Sequence, residues 1–166
     1  MLKQILTIIA VSASVTATAA DLPKRKSGLW EVTNISSAQG KGDPSAMIMS
    51  MCVDQNSDAD WLKQGQQIKC SKEDFKVERD RLTFSSVCNF GNTTATSKGV
   101  ASGDFNKAYT VETHSTYDPP MAGLKEASNK ITAKWLGPCK AGQRAGDVIM
   151  PNGTTINMND LMKIKK

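Results

Sequence analysis

The run GLWEVTNIS, residues 28–36, decides the fold class of this 166-residue chain. Apolar and polar side chains alternate along it and several are β-branched, which is typical of a strand with one buried face. A tryptophan stands third in the run, two positions after a glycine. The run therefore predicts a β-strand, and it raises the question of what a large ring does at the start of that strand.

Six further runs of the same kind follow, and most of them are separated by Gly, Pro, Asn or Asp. They are AMIMSMCVD (46–54), DFKVER (74–79), RLTFSSVCNF (81–90), TTATSKGVAS (93–102), AYTVETHSTY (108–117) and KITAKWLG (130–137). Strands at this spacing predict an all-β fold, an antiparallel meander that forms a strongly curved sheet or a lipocalin-like barrel.

Helical segments are few in this pattern. SDADWLKQGQQ, residues 57–67, predicts one short helix, because Ser57 can cap it and Asp60 completes a capping box. Near the C-terminus, a Pro-Asn-Gly turn within residues 146–158 predicts two short strands. NMNDLMKIKK, residues 157–166, predicts a terminal helix.

The first residues have the organisation of a secretory signal. A single basic residue, Lys3, precedes a short apolar core, and Ala17 and Ala19 fit a cleavage site. We expect residues 1–19 to be a cleaved signal peptide, 20–139 a disulfide-stapled β domain, and 140–166 a C-terminal extension packed on that domain or trailing from it. The expected location is the periplasm or the medium, with no integral membrane segment after cleavage.

Charge gives little indication of a partner. The chain carries a net charge of +5, and only KRK at 24–26 and KIKK at 163–166 are basic clusters. Neither is interleaved with aromatic residues as a nucleic-acid groove would be. We interpret both as charged tethers and expect no nucleic-acid partner.

Four cysteines remain after the signal, an even number that predicts two disulfides in an oxidising compartment. Three connectivities are open. A hairpin that turns near residues 79–80 would bring Cys70 level with Cys88, which favours that pair and leaves Cys52 with Cys139. Strand alternation puts Cys70 on the wrong face for this pairing, so it also requires a bulge.

A set of short motifs now supports a family resemblance. The set comprises the signal peptide, Gly-Leu-Trp-Glu near the mature N-terminus, CVD before a short helix, a cysteine that opens the next strand, another after RLTFSSV, and a closing LGPC. In order and spacing it resembles the bacterial domain-of-unknown-function 3617 family over residues 28–139. The resemblance implies a small exported bacterial protein and supplies no catalytic residues.

Gly28 and Trp30 match the glycine and tryptophan of that family. Lipocalin-like barrels also begin with Gly-x-Trp, where the indole packs across one barrel end and seals the core. The glycine lets the incoming backbone bend or pass closely. We therefore interpret both residues as structural.

Candidates for catalysis are scarce. The single histidine, His114, lies within a strand, where an exposed or hydrogen-bonded ring is more common than a general base. The adjacent acids Glu73 and Asp74 point to opposite faces of a strand, and disulfides would occupy all four thiols. We expect neither enzymatic activity nor a bound cofactor.

Two segments have some character of a metal site. DQNSDAD, residues 54–60, resembles the start of a calcium loop but lacks the glycine and glutamate that the loop requires. Met47, Met49 and Met51 would share one strand face, and thioethers favour copper(I). Alternate strand residues are ~6.6 Å apart, so packing or contact with an apolar ligand is the simpler interpretation.

Two functions of different classes fit these features. The first is a non-catalytic periplasmic binding protein that holds an apolar small molecule, a lipid or a protein partner of the cell envelope. The alternative is a copper(I)-handling protein that uses Met47, Met49 and Met51, with His114 as a further ligand.

Overall fold

The computed structural model describes residues 23–38, 41–54 and 70–164. Three predicted features lie outside these residues: the signal peptide at 1–19, the helix at 57–67 and all but the first residue of the calcium-like run.

Strands dominate the described chain. In chain order they are β1 (Gly28–Ala38), β2 (Lys41–Val53), β3 (Cys70–Glu78), β4 (Arg81–Phe90), β5 (Thr93–Asp104), β6 (Ala108–Met121), β7 (Leu124–Gly137), β8 (Asp147–Ile149) and β9 (Thr155–Asn157). One short helix, α1 (Met158–Ile164), follows β9 directly. Each of the seven runs predicted from alternation lies in a separate strand, and the all-β prediction is confirmed.

The nine strands form one antiparallel sheet in the order β3-β4-β5-β6-β7-β1-β2-β8-β9. The described strands do not close this sheet into a barrel, because β3 and β9 stand at its two ends. A closed barrel would place β3 on the free edge of β2. Part of that edge is occupied instead by β8, which sets Ile149 opposite Ser50 and Val148 opposite Met51.

Strand register divides the sheet into two faces. Val32 of β1 lies opposite Met49 of β2 and Ala133 of β7, and Ala133 lies opposite Tyr109 of β6. We call the face that carries these residues and Trp30 the inner face, and the opposite one the outer face. Because side chains alternate, the odd-numbered residues of β6 point to the inner face and the even-numbered ones to the outer face.

The core lies at one end of the inner face. Its buried members are Trp30, Val32, Val53 and Ala133, and the partly buried residues packed against them are Met49, Met51, Tyr109, Ile131 and Trp135. Four neighbouring strands, β2, β1, β7 and β6, contribute these side chains. Burial of a large aromatic ring at the centre of such a cluster stabilises a sheet by a few kcal/mol, roughly 3.

Both disulfides favoured by hairpin geometry are present. Cys70 bonds to Cys88 between β3 and β4, and Cys52 bonds to Cys139 beyond the end of β7. The β3–β4 register shifts between Cys70 and Lys72, which is the bulge that alternation requires. The predicted turn is also present, since Glu78 pairs with Arg81 across residues 79–80.

The chain after Cys139 joins the same sheet. Its two short strands and its terminal helix agree with the prediction from sequence. Asn157 caps the helix, accepting a hydrogen bond from the backbone N–H of Asp160 at 3.1 Å. Among the described residues, no helix is long enough and apolar enough to cross a membrane.

Candidate functional site

Two tryptophans on neighbouring strands seal the buried end of the inner face. Trp30 is fully buried and lies opposite Trp135 of β7. Each indole N–H donates to a backbone carbonyl of the segment before β1: Trp30 Nε1 to Lys26 O at 2.8 Å, and Trp135 Nε1 to Ser27 O at 3.1 Å. The Trp30 ring therefore packs in the core and has no face open to a ligand.

The glycine two positions earlier makes room for this arrangement. Gly28 has a φ of +137°, a backbone conformation that side-chain-bearing residues rarely adopt. A Cβ at this position would collide with the carbonyl oxygen of Gly137 and with Nε1 of Trp135. Gly28 thus allows β1 to enter the sheet close to the end of β7.

Residues 23–27, which we call the strap, cross the end of the sheet before β1 begins. The backbone N–H of Lys26 donates to Phe105 O in the β5–β6 turn at 3.1 Å, and its ammonium lies 3.7 Å above the ring of Trp135. Arg25 Nη1 lies 3.4 Å from the hydroxyl of Tyr109. The prediction that residues 24–26 form a charged tether is therefore wrong. The side chains of Arg25 and Lys26 contact aromatic residues of the sheet.

A pocket of about 520 Å³ opens between the strap, the β3–β4 turn and the β5–β6 turn. Pro23, Val77 and Phe105 contribute its apolar lining, and the ring of Phe105 stacks on Tyr109 with 4.8 Å between centroids. Small-molecule sites commonly have volumes of about 300–1,000 Å³. This pocket is widely open to solvent, and its lining is partly apolar and partly charged.

Positive charge is in excess around this pocket. Its charged lining residues are Lys24, Arg79, Asp80, Arg81 and Asp104. The carboxylate of Asp104 is already engaged by its own turn, through Asn106 N at 2.8 Å and Lys107 Nζ at 3.8 Å. The lining therefore carries three basic side chains against two acidic ones.

The inner face next to the pocket remains apolar and partly open. Val77 and Phe75 of β3 are 38% and 41% exposed, although both point to the inner face. Phe75 pairs with Phe84, whose ring lies over Gly99 at the place where a Cβ would stand. An apolar molecule bound here would cover side chains that the fold leaves exposed.

The other end of the inner face is polar. Ser97 and Ser115 share a hydrogen bond of 2.8 Å, and Asn129 Nδ2 donates to Ser36 Oγ at 3.3 Å. In strand register, the Asn129–Ser36 pair lies in the same cross-strand row as Phe75 and Phe84, so polar and apolar side chains share this part of the inner face.

The three methionines share the inner face, as alternation predicts, but they line no part of the pocket. Met49 and Met51 pack against the core, while Met47 is 42% exposed. Packing thus accounts for two of the three side chains. The pocket near the strap is therefore separate from the methionine face, where the sequence favours packing or contact with an apolar ligand.

His114 lies on the outer face, which corrects its expected place beside the methionines. It is an even-numbered residue of β6, whereas Met47, Met49 and Met51 point to the inner face. Its Nδ1 is 3.1 Å from Ser128 Oγ, and its Nε2 is 3.9 Å from Glu126 Oε2. Within residues 23–38, 41–54 and 70–164, no cluster of three or more His, Cys, Asp or Glu residues is placed to hold a metal ion.

Sequence reasoning missed the residues around the pocket. The sequence predicts a tether for Lys24, a hairpin turn for Arg79 and the start of a strand for Arg81. The available signal is the pair of arginines around Asp80, where the runs DFKVER and RLTFSSVCNF meet. Turn residues from separate hairpins come together only when the sheet is assembled, so this signal is weak.

Comparison with known proteins adds one match. No curated protein and no solved structure matches the chain. The family model described as Protein of unknown function (DUF3617) matches residues 25–139, which include the strap from Arg25, the first seven strands and all four cysteines. The chain therefore belongs to the DUF3617 family.

Proposed function

We propose that this protein is a non-catalytic binding protein of the bacterial periplasm, and that it holds an apolar small molecule or a lipid on the inner face beside the strap. The observation that carries the proposal is the pocket of about 520 Å³, which combines the apolar Val77 and Phe105 with surplus positive charge. The ligand class that fits is an apolar body with an anionic group.

Exposure on β3 supports this use. Val77 and Phe75 remain 38% and 41% exposed on a face where Trp30 and Ala133 are fully buried. Burial of apolar surface contributes about 25 cal/mol per Å², so a ligand that covers both side chains gains affinity from each. The arginines at the hairpin turn would then orient an anionic group toward solvent.

The location is part of the proposal. Both disulfides suit an oxidising compartment, because cytosolic thiols are normally kept reduced. Mass spectrometry of the protein recovered from the periplasm tests export directly. Loss of residues 1–19 is expected, and a full-length chain confined to the cytosol would contradict export.

Native mass spectrometry of the same sample tests ligand binding. We expect a retained organic mass that organic solvent removes. Titration with 1-anilinonaphthalene-8-sulfonate, an apolar anionic dye, then locates the site. Val77→Asn should weaken dye binding about tenfold, because it removes apolar contact from the pocket.

Ile35→Asn is the matched control for this titration. Ile35 is 39% exposed and Val77 is 38% exposed, so the two side chains are equally accessible. Ile35, however, lies on the outer face. The control should bind the dye as tightly as the wild type. Equal affinity of the wild type and Val77→Asn, together with a protein that purifies empty, would contradict the proposed site.

Copper(I) binding by Met47, Met49 and Met51 is the alternative proposal. It is supported by the shared inner face and by the exposure of Met47. The packing of Met49 and Met51 against the core weighs against it, since a copper site would have to draw their sulfurs away. It ranks second for that reason.

A further inference from the structure

The edge strand β3 has an unusual charge pattern. It stands at one end of the sheet, and no described strand pairs with it on the side away from β4. All of its residues after Cys70 are exposed. A long exposed edge presents unpaired backbone donors and acceptors to another strand, and proteins usually protect such an edge.

Charges alternate in sign along the outer face of this edge. The four residues are Lys72, Asp74, Lys76 and Glu78. Lys72 Nζ lies 3.2 Å from Asp74 Oδ2, and Lys76 Nζ lies 2.7 Å from Glu78 Oε1. Edge protection by like charges would show one sign along the strand, whereas this pattern is balanced.

The charges of one β3 strand are complementary to those of a second β3 strand that runs antiparallel to it. Two copies of β3 can pair antiparallel about a two-fold axis that passes through Phe75. Lys72 of one copy then lies opposite Glu78 of the other. Asp74 lies opposite Lys76, and the two-fold axis repeats both pairs. Opposite charges in directly opposed positions stabilise an antiparallel pair.

Neighbouring registers lose this match. A two-fold axis at Asp74 sets that carboxylate opposite itself and Lys72 opposite Lys76. An axis at Lys76 sets the ammonium opposite itself and Asp74 opposite Glu78. Like charges in opposed positions destabilise a pair, so the charges select one register among these.

On the inner face of the same register, Phe75 lies on the axis and Glu73 lies opposite Val77 on either side of it. Phe75 would lie opposite Phe75 of the second copy, and each already pairs with Phe84 of its own β4. The result is a row of four phenylalanines across the interface between the two copies. Aromatic cross-strand pairs are among the favourable ones, and this row would cover the exposed ring of Phe75.

We propose that β3 is a dimerisation edge that takes a second copy of this chain, antiparallel and with Phe75 opposite Phe75. Such an interface is isologous, so it closes after two copies and does not propagate into a fibre. It goes beyond the proposed ligand binding and does not depend on it, although both would cover part of the Phe75 ring.

Sedimentation equilibrium of the mature, oxidised protein tests the dimer. One variant makes the edge acidic (Lys72→Glu with Lys76→Glu), and a second makes it basic (Asp74→Lys with Glu78→Lys). We expect the wild type to dimerise and each variant to dimerise about 100-fold more weakly, because like charges then oppose one another. An equimolar mixture of the two variants should restore the dimer.

A control variant separates edge pairing from net charge. Lys98→Glu with Lys125→Glu changes the charge by as much as the acidic edge does, but at exposed positions of β5 and β7. It should dimerise like the wild type. A wild type that stays monomeric at about 100 μM, well above the micromolar range of weak interfaces, would overturn the proposal. A dimer that persists in the acidic-edge variant would also overturn it.

Hydrogen exchange provides a test that needs no variant. Amides of residues 72–78 that point away from β4 should exchange more slowly as the concentration of the wild type rises through the dimerisation range. Their exchange should be unchanged by concentration if the copies associate elsewhere, and that result would overturn the assignment to β3.

Discussion

The indole N–H of Trp30 donates a hydrogen bond of 2.8 Å to the backbone carbonyl of Lys26, and this bond joins the centre of the sheet to the strap. The same residue, Lys26, donates its backbone N–H to Phe105 on the far side of the pocket. The ring that completes the core therefore also holds one wall of the candidate binding site.

Replacement of Trp30 by phenylalanine tests this connection. The variant loses the N–H and part of the buried ring, so its free energy of unfolding should fall by about 2 kcal/mol. Trp135→Phe is the control, because that ring is only partly buried and water can replace its bond to Ser27. The control should lose less than about 1 kcal/mol in urea unfolding. Equal losses would contradict a special role for Trp30.

The two disulfides should differ in their contribution to stability. Cys52–Cys139 closes a separation of 87 residues and Cys70–Cys88 one of 18. On the chain-entropy model, replacing both cysteines of the long-loop disulfide by alanine lowers the free energy of unfolding by about 4.6 kcal/mol. The same change at the short-loop disulfide lowers it by about 3.2 kcal/mol. Thermal unfolding without reductant measures both. A larger loss from the short-loop pair would refute the chain-entropy explanation.

Asp147 should make stability depend on acidity. Burial alone would raise its pKa, but hydrogen bonds of 2.7 Å from Arg144 N and from Asn157 Nδ2 outweigh burial and hold the pKa below its usual value. A carboxyl with a lowered folded pKa stabilises the protein above its unfolded pKa, about 3.9, and loses that contribution as the pH falls through the folded value.

The wild type should therefore lose stability below about pH 4 more steeply than Asp147→Asn does. Urea midpoints measured from pH 6 downward provide the comparison, with exposed Asp118→Asn as a control that should follow the wild type. If the Asp147→Asn curve runs parallel to the wild-type curve, the hydrogen bonds to Asp147 do not have the expected effect.

Replacement of Met47, Met49 and Met51 by leucine separates packing from copper binding. Leucine conserves volume, so the triple variant should fold and lose less than about 1.5 kcal/mol of stability. Copper(I) titration of both proteins then decides the alternative. The copper proposal requires that uptake disappear in the variant, and unchanged uptake would reject it.

Local pattern accounts for most of the fold that could be predicted. Alternation and turn residues are properties of neighbouring positions, so the seven long strands and the turn at Arg79 were predictable. The bulge near Cys70 was predictable from the hairpin, because regular alternation would put Cys70 and Phe75 on opposite faces of the strand. The position of β8 beside β2 was not predictable, because three residues carry no periodicity and Val148 meets Met51 across a large separation in sequence.

The candidate site was less predictable for a related reason. Lys24, Arg79 and Phe105 belong to three separate segments that meet only at the assembled end of the sheet. The position of His114 relative to the methionines depends on register through four strands, β6, β7, β1 and β2. Composition and spacing contain neither relationship.

The central position of β1 has a consequence for the order of folding. Although it is the first strand of the described chain, β1 pairs with both β2 and β7, and Trp135 bonds to Ser27 across 108 residues. Contacts this distant in sequence form slowly, because the chain loses the entropy of closing a long loop before packing stabilises the contact. Trp30 thus has no complete core to enter until β7 has been synthesised. The export proposed above is compatible with this order of folding, because a chain that crosses a membrane unfolded must not complete its core beforehand.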